Sequence, residues 1–97
     1  MVMRAKKKFV VVAYDIANDK RRSYVVKILE KVGTRVNNSV FECILTDVQF
    51  EKFKKAIWSK IDEREDQVVY YSICVDCYTK IIYQPIFKKT YEKVFFI

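Results

Sequence analysis

The chain has 97 residues, 52% of them hydrophobic, with one Gly and one Pro; it is one domain near the small end of what builds its own core, and disorder, collagen and long flexible linkers are excluded. A formal charge of +7, from 19 Lys and Arg against 12 Asp and Glu, together with 15% aromatic residues, points to a polyanion partner, nucleic acid first, beside the plainer reading of a basic protein with no such partner. The absence of His excludes a histidine base, a Ser-His-Asp triad and a histidine-ligated zinc, so any catalysis must come from carboxylates, Lys, Tyr, Ser, Cys or a bound metal.

Residues 9–14 are an apolar, largely β-branched run, which predicts a central strand buried on both faces. Asn18 or Asp19 can cap the helix that follows, and Gly33 is placed to end it. Val25, Ile28, Leu29 and Val32 recur at helical spacing along one apolar face, while Lys20, Arg21, Lys27 and Lys31 fall mostly off it. Residues 34–37 and 40–45 read as two short strands joined by turn chemistry at Asn37, Asn38 and Ser39. Thr46 or Asp47 caps a second helix with Phe50, Phe53, Ile57 and Ile61 on one side. The acidic stretch 62–66 is a charged connection, 67–75 another strand, and 78–83 a shorter one before Pro85 and a basic, aromatic tail. The order is β-α-β-β-α-β with an added C-terminal strand: an α+β, ferredoxin-like antiparallel sheet with both helices on one face. The other face is then bare, and a two-fold partner, a homodimer, is its simplest cover.

Several residues along this order can carry chemistry. Asp15 ends the first strand, where a carboxylate can face a ligand or close an Asx-turn before the helix. One carboxylate is a poor Mg²⁺ site, but two copies of Asp15 on a two-fold axis would make a credible one for Mg²⁺ or Mn²⁺. Tyr14 can stack on a base, donate to a phosphate, or sit half-buried in the strand. Lys20, Arg21 and Arg22 open a helix, the wrong end for cations with respect to the dipole, which suggests an outside anion or a solvated face. Arg35 can fork onto a phosphate or pair with Glu42 or Asp47 across the hairpin. Ser39 can touch a phosphate or complete the turn, and Phe41 can be core, dimer interface or a base-stacking platform. Cys74-x-x-Cys77 lacks the further ligands of a zinc site and the helix start of a redox motif, and reads as packing or turn residues. Three cysteines cannot all pair within one chain, and residues 1–8 are basic without a long apolar stretch; a reducing cytoplasm is expected, and no segment approaches the roughly 18 apolar residues a bilayer span needs.

Taken in order, Tyr14-Asp15-Ile16, the Lys20-Arg21-Arg22 run, Arg35-Val36, Ser39-Val40-Phe41-Glu42, Ile61-Asp62 before the acidic turn and Cys74-x-x-Cys77 resemble the small CRISPR-associated protein two family over residues 8–83. The chain departs from that family's pattern at Asn37, where Gln is frequent, and at Asn38 and Tyr24, where basic residues are frequent. The resemblance implies a homodimer with Asp15 of both chains facing each other as metal ligand, and roles in binding or catalysis for Tyr14, Asp15, Arg22, Arg35 and Phe41. It implies an adaptation protein that holds duplex DNA for the CRISPR integrase subunit, with a Mg²⁺- or Mn²⁺-dependent endonuclease activity on single-stranded RNA or duplex DNA as a second function. On this reading 1–83 is the domain and 84–97 a tail against the other protomer or a partner. The alternative is a toxin-type, metal-dependent endoribonuclease on the same fold.

Overall fold

The computed structural model describes residues 7–73, 80–82 and 84. The apolar run of the first strand lies within β1 (Lys7–Asp15), followed by α1 (Asp19–Glu30), β2 (Gly33–Asn37), β3 (Val40–Thr46), α2 (Asp47–Trp58) and β4 (Gln67–Ile73). The sheet order is β2-β3-β1-β4, and every neighbouring pair is antiparallel. Each helix thus crosses over one intervening strand, the split βαβ arrangement of a ferredoxin-like α+β fold.

Both helix starts follow from local hydrogen bonding. The Asn18 side chain accepts from the Arg21 N–H at 2.9 Å, and at α2 Thr46 and Gln49 form a reciprocal capping box. The apolar faces then meet the sheet. Val25 and Leu29 of α1 and Phe50, Phe53 and Ile57 of α2 are buried against Val10, Val12, Phe41, Cys43 and Leu45. Tyr70 of β4 stands edge-on to Phe50 and Phe53, with ring centroids 5.7 and 5.9 Å away, and burial pushes its hydroxyl pKa up to about 12. Ile61 packs against the core from beyond the end of α2, which closes at Ser59.

Strand alternation explains where β1 departs from the expected burial on both faces. Val10, Val12 and Tyr14 are buried under the helices. On the opposite face Phe9 is buried, but Val11 and Ala13 are only half-buried, because both helices lie on one side. Register puts Val40, Glu42 and Ile44 of β3 and Val69, Tyr71 and Ile73 of β4 on that second face, where Glu42 is buried and Tyr71 is 54% exposed. The strand expected over 78–83, the tail and Cys74-x-x-Cys77 lie outside the described residues, except Lys80, Ile81, Ile82 and Gln84, which form no strand. No helix among the described residues is long and apolar enough to cross a membrane.

Gly33 does not end α1. The helix closes at Lys31, whose N–H donates to the Ile28 carbonyl at 3.3 Å while the Val32 N–H donates to the Leu29 carbonyl at 3.1 Å, and Gly33 is the first residue of β2, opposite Cys43. The reason for glycine is close approach: a Cβ there would lie 2.5 Å from Cys43 Sγ and 2.6 Å from the Glu42 carbonyl oxygen. Cys43 itself is free and fully buried, and burial, with the nearby Glu42 charge second, pushes its thiol pKa up to about 12. The Gly33→Ala chain should be destabilised by about 1–3 kcal/mol, since the backbone oxygen cannot yield as a flexible side chain would. Urea unfolding of the two chains measures this, and equal midpoints would show that the β2–β3 contact relaxes freely.

Candidate nucleic-acid interface

The end of the sheet where β1 stops is also where β4 starts, since Asp15 pairs with Gln67. A pocket of about 440 Å³ opens there, lined by Tyr14, Asp15 and Ile16 from β1 and its loop, Arg22 from α1, and Arg35, Asn38 and Ser39 from the β2–β3 hairpin. Tyr14 and Asp15 point to opposite faces, as adjacent strand residues must. Tyr14 is 6% exposed, tilted against Phe41 with centroids 6.3 Å apart. Asp15 is exposed and lies on the side of Val11 and Ala13.

The Tyr14 hydroxyl is fully engaged. It donates to the Asn38 carbonyl at 2.8 Å and accepts from Arg35 Nη2 at 3.3 Å, and the same Nη2 reaches the Asn38 carbonyl at 3.3 Å. The Arg35 guanidinium also lies over the Phe41 ring, 5.7 Å from its centroid. It therefore makes neither of the hairpin ion pairs the sequence offered. Asp47 pairs with Lys8 at 2.6 Å, and Glu42 stands on the other face of β3 from Phe41, Arg35's register partner. Ser39 is exposed, and its N–H donates to Asn37 Oδ1 at 2.9 Å, completing the expected turn. Phe41 is fully buried. That rules it out as a base-stacking surface in this chain and makes it the platform under Tyr14 and Arg35; truncation to Ala would cost about 3–5 kcal/mol.

The two arginines at the start of α1 differ in their partners. Arg22 Nη1 meets Asp19 Oδ1 at 2.6 Å and Nη2 donates to the Ile16 carbonyl at 2.9 Å, which leaves the head at the pocket wall. Arg21, expected among the nucleic-acid ligands, turns away from the pocket and forks onto Asp66, Nε to Oδ2 at 2.8 Å and Nη2 to Oδ1 at 3.1 Å, with Glu65 2.9 Å from the same Nη2. Asp66 also accepts from the Ala17 N–H at 3.1 Å and the Asp62 N–H at 2.8 Å. The bond from Arg21 is the main cause that holds the Asp66 carboxyl well below the usual range, with the Asp62 and Ala17 N–H groups adding to it against a desolvation cost. The Arg21 guanidinium is held further above its ordinary value by the same contact. Sequence reasoning missed Asp66, because nothing distinguishes it within the acidic stretch 62–66 except that it is the member next to the β4 strand.

No group of three or more His, Cys, Asp or Glu side chains able to hold a metal occurs among the described residues. Asp15 brings a single carboxylate to the pocket, so the residues of one chain alone do not fit a Mg²⁺ or Mn²⁺ ion.

A family model described as CRISPR associated protein Cas2 matches residues 8–81. The chain is similar to a CRISPR-associated endoribonuclease Cas2 3 of Synechocystis sp., 35% identical over 71 residues that cover 73% of this chain and 77% of the relative. Its fold is similar to the crystal structure of Streptococcus pyogenes Cas2, with TM-score 0.70, 31% identity and coverage of 77% and 96%. It is also similar to a chain of a partial Cas6-RT-Cas1--Cas2 complex, with TM-score 0.66, 26% identity and coverage of 78% and 89%.

The Asp66 contacts set a pH dependence of known sign. The folded-state pKa is depressed, so the carboxylate contributes stability that is complete above the unfolded value of about 3.9 and is lost as pH falls from there toward the lowered folded value. The Asp66→Asn chain should be less stable than the parent near neutral pH, with a gap that narrows steadily once pH drops below about 4. Urea midpoints across acid pH test this; a gap that does not change with pH would mean that the charge on Asp66 contributes nothing.

Proposed function

The chain belongs to the CRISPR-associated protein Cas2 family, and on that premise we propose that it is a nucleic-acid-binding adaptation protein, a homodimer that holds duplex DNA for the integrase subunit. The observation that carries this reading is the division of labour at the end of β1. Arg22 and Arg35 face one pocket, while Asp15 stands at the rim of the sheet face opposite the helices, which carries Val11, Ala13, Val69 and Tyr71 together with Glu42. A second copy laid on Val11, Ala13, Val69 and Tyr71 would cover that face and meet Asp15 on the way. The two pockets of such a dimer would then lie on one molecule, and arginine forks suit phosphate oxygens. The likeness to a chain from an assembly that contains Cas1 supports an integrase-type partner. The odd cysteine count supports a reducing, cytoplasmic setting.

Nuclease activity is the second reading, favoured by the endoribonuclease name of the Synechocystis relative. It depends on the dimer, because Mg²⁺ or Mn²⁺ needs the Asp15 carboxylates of both protomers, with water completing the shell. Such an ion would supply Lewis-acid polarisation of a phosphodiester. Arg22 and Arg35 would hold the phosphate, and Ser39 is exposed at the same wall as a further donor. Tyr14 would serve as a positioning residue for Arg35 and not as a catalytic one, since its hydroxyl is spent inside the chain.

Labelled single-stranded RNA and duplex DNA, incubated with Mg²⁺ or with EDTA, distinguish the two activities. The parent and Asp15→Asn chains should bind duplex equally well, more weakly as salt rises. Metal-dependent cutting by the parent that Asp15→Asn abolishes would establish the paired-carboxylate nuclease. Cutting that survives the substitution would remove Asp15 from the chemistry, and absence of duplex binding by the parent would overturn the adaptation role.

A further inference from the structure

The basic run at the start of α1 holds two arginines with unequal freedom. The Arg22 acceptors are a backbone carbonyl and Asp19, whose side chain is 95% exposed. Exchanging that contact for a phosphate costs little, because an exposed carboxylate is resolvated by water. Arg21 is the opposite case. Its partner Asp66 has no exposed side-chain surface, and four donors converge on it: Arg21 Nε and Nη2 and the N–H groups of Ala17 and Asp62. If Arg21 swung toward a phosphate, it would leave an enclosed carboxylate with two backbone donors, an uncompensated charge of the kind that is costly to bury.

Three of these bonds, all but the one from Asp62, join two segments that are distant in the chain. Ala17 follows Asp15 by two residues and Arg21 precedes Arg22, whereas Asp66 ends the α2–β4 connection and precedes Gln67 of β4. We propose that Arg21 and Asp66 are a positioning pair for the pocket: they hold the β1–α1 loop so that Asp15 and Arg22 are presented, and Arg21 contacts no phosphate itself. This rests on the reading of the pocket as a nucleic-acid site.

The test is duplex DNA affinity across a salt series for the full chain, its Arg22→Gln, Arg21→Gln and Asp66→Asn variants, and Arg21→Lys, which keeps the charge and loses the fork. Urea unfolding of each chain runs in parallel. Arg22→Gln should flatten the slope of log affinity against log salt by about 0.9 for each phosphate that the arginine neutralises. Arg21→Gln and Asp66→Asn should lose affinity about ten-fold with the slope unchanged, the size of effect expected within one ion-pair network. Where Arg21→Gln does not fold, Arg21→Lys should show the same loss at unchanged slope. A slope reduced by either Arg21 substitution as much as by Arg22→Gln overturns the proposal, because Arg21 would then be a phosphate ligand. Undiminished affinity in folded Arg21 and Asp66 variants also overturns it, because the pair would then only tie the fold. If Arg22→Gln binds like the parent, the pocket reading fails instead, a result separable from either of these.

Discussion

The carboxylate of Asp66 is the constraint on which the working end of the sheet depends. A split βαβ topology brings the exit of β1 and the entrance of β4 side by side, yet the two loops that serve them belong to different crossovers. The α2–β4 loop closes its own turn, with the Glu65 and Asp66 N–H groups donating to the Asp62 carbonyl at 3.1 and 2.8 Å, but that turn does not tie it to the β1–α1 loop. Asp66 supplies the tie, one anion taking backbone donors from each loop and a guanidinium fork from α1. The cost of enclosing a charge is met only because all four contacts are made together, so the arrangement is cooperative. The loop of Ile16 and Ala17 that follows Asp15 is therefore fastened, through the Ala17 N–H, to the residue that leads into β4.

The remaining walls of the pocket are fixed by a different means. Phe41 is held in the core by helix packing, and Tyr14 and Arg35 rest on it in turn. The Tyr14 hydroxyl ties that stack to the Asn38 carbonyl at the tip of the hairpin. Anchored sheet on one side and fastened loop on the other leave Arg22 as the wall group with the cheapest partners to exchange. Pre-organised surroundings with one adaptable cation suit a backbone-reading surface, which must accept phosphates in any sequence context.

Much of the fold is legible in the sequence because its signals are local. Helical spacing in Val25, Ile28, Leu29 and Val32, and the oxygen side chains of Asn18 and Thr46, act within one or two turns, and they decide the elements as they would in a peptide. Gly33 misleads for the same reason. A glycine just past a helix usually serves the helix, but here it serves β3, through contacts ten residues ahead. Arg21 and Asp66 lie beyond local reading altogether. They meet across 45 positions, in a basic run and an acidic run whose members look interchangeable until the chain folds. Of the candidate site residues, Tyr14, Asp15, Arg22, Arg35 and Ser39 do line one pocket, whereas Phe41 lies beneath it and Arg21 behind.

Tyr14 and Asp15 are neighbours with opposite orientations, and this makes the length of β1 as consequential as its composition. An inserted or deleted residue anywhere between Lys7 and Tyr14 would invert the facing of both side chains unless a bulge absorbed it. The hydroxyl would then be turned out to solvent and the carboxylate driven under the helices in one event, with no change in the identity of either side chain. For this strand, register within the sheet is as consequential as the identity of its residues.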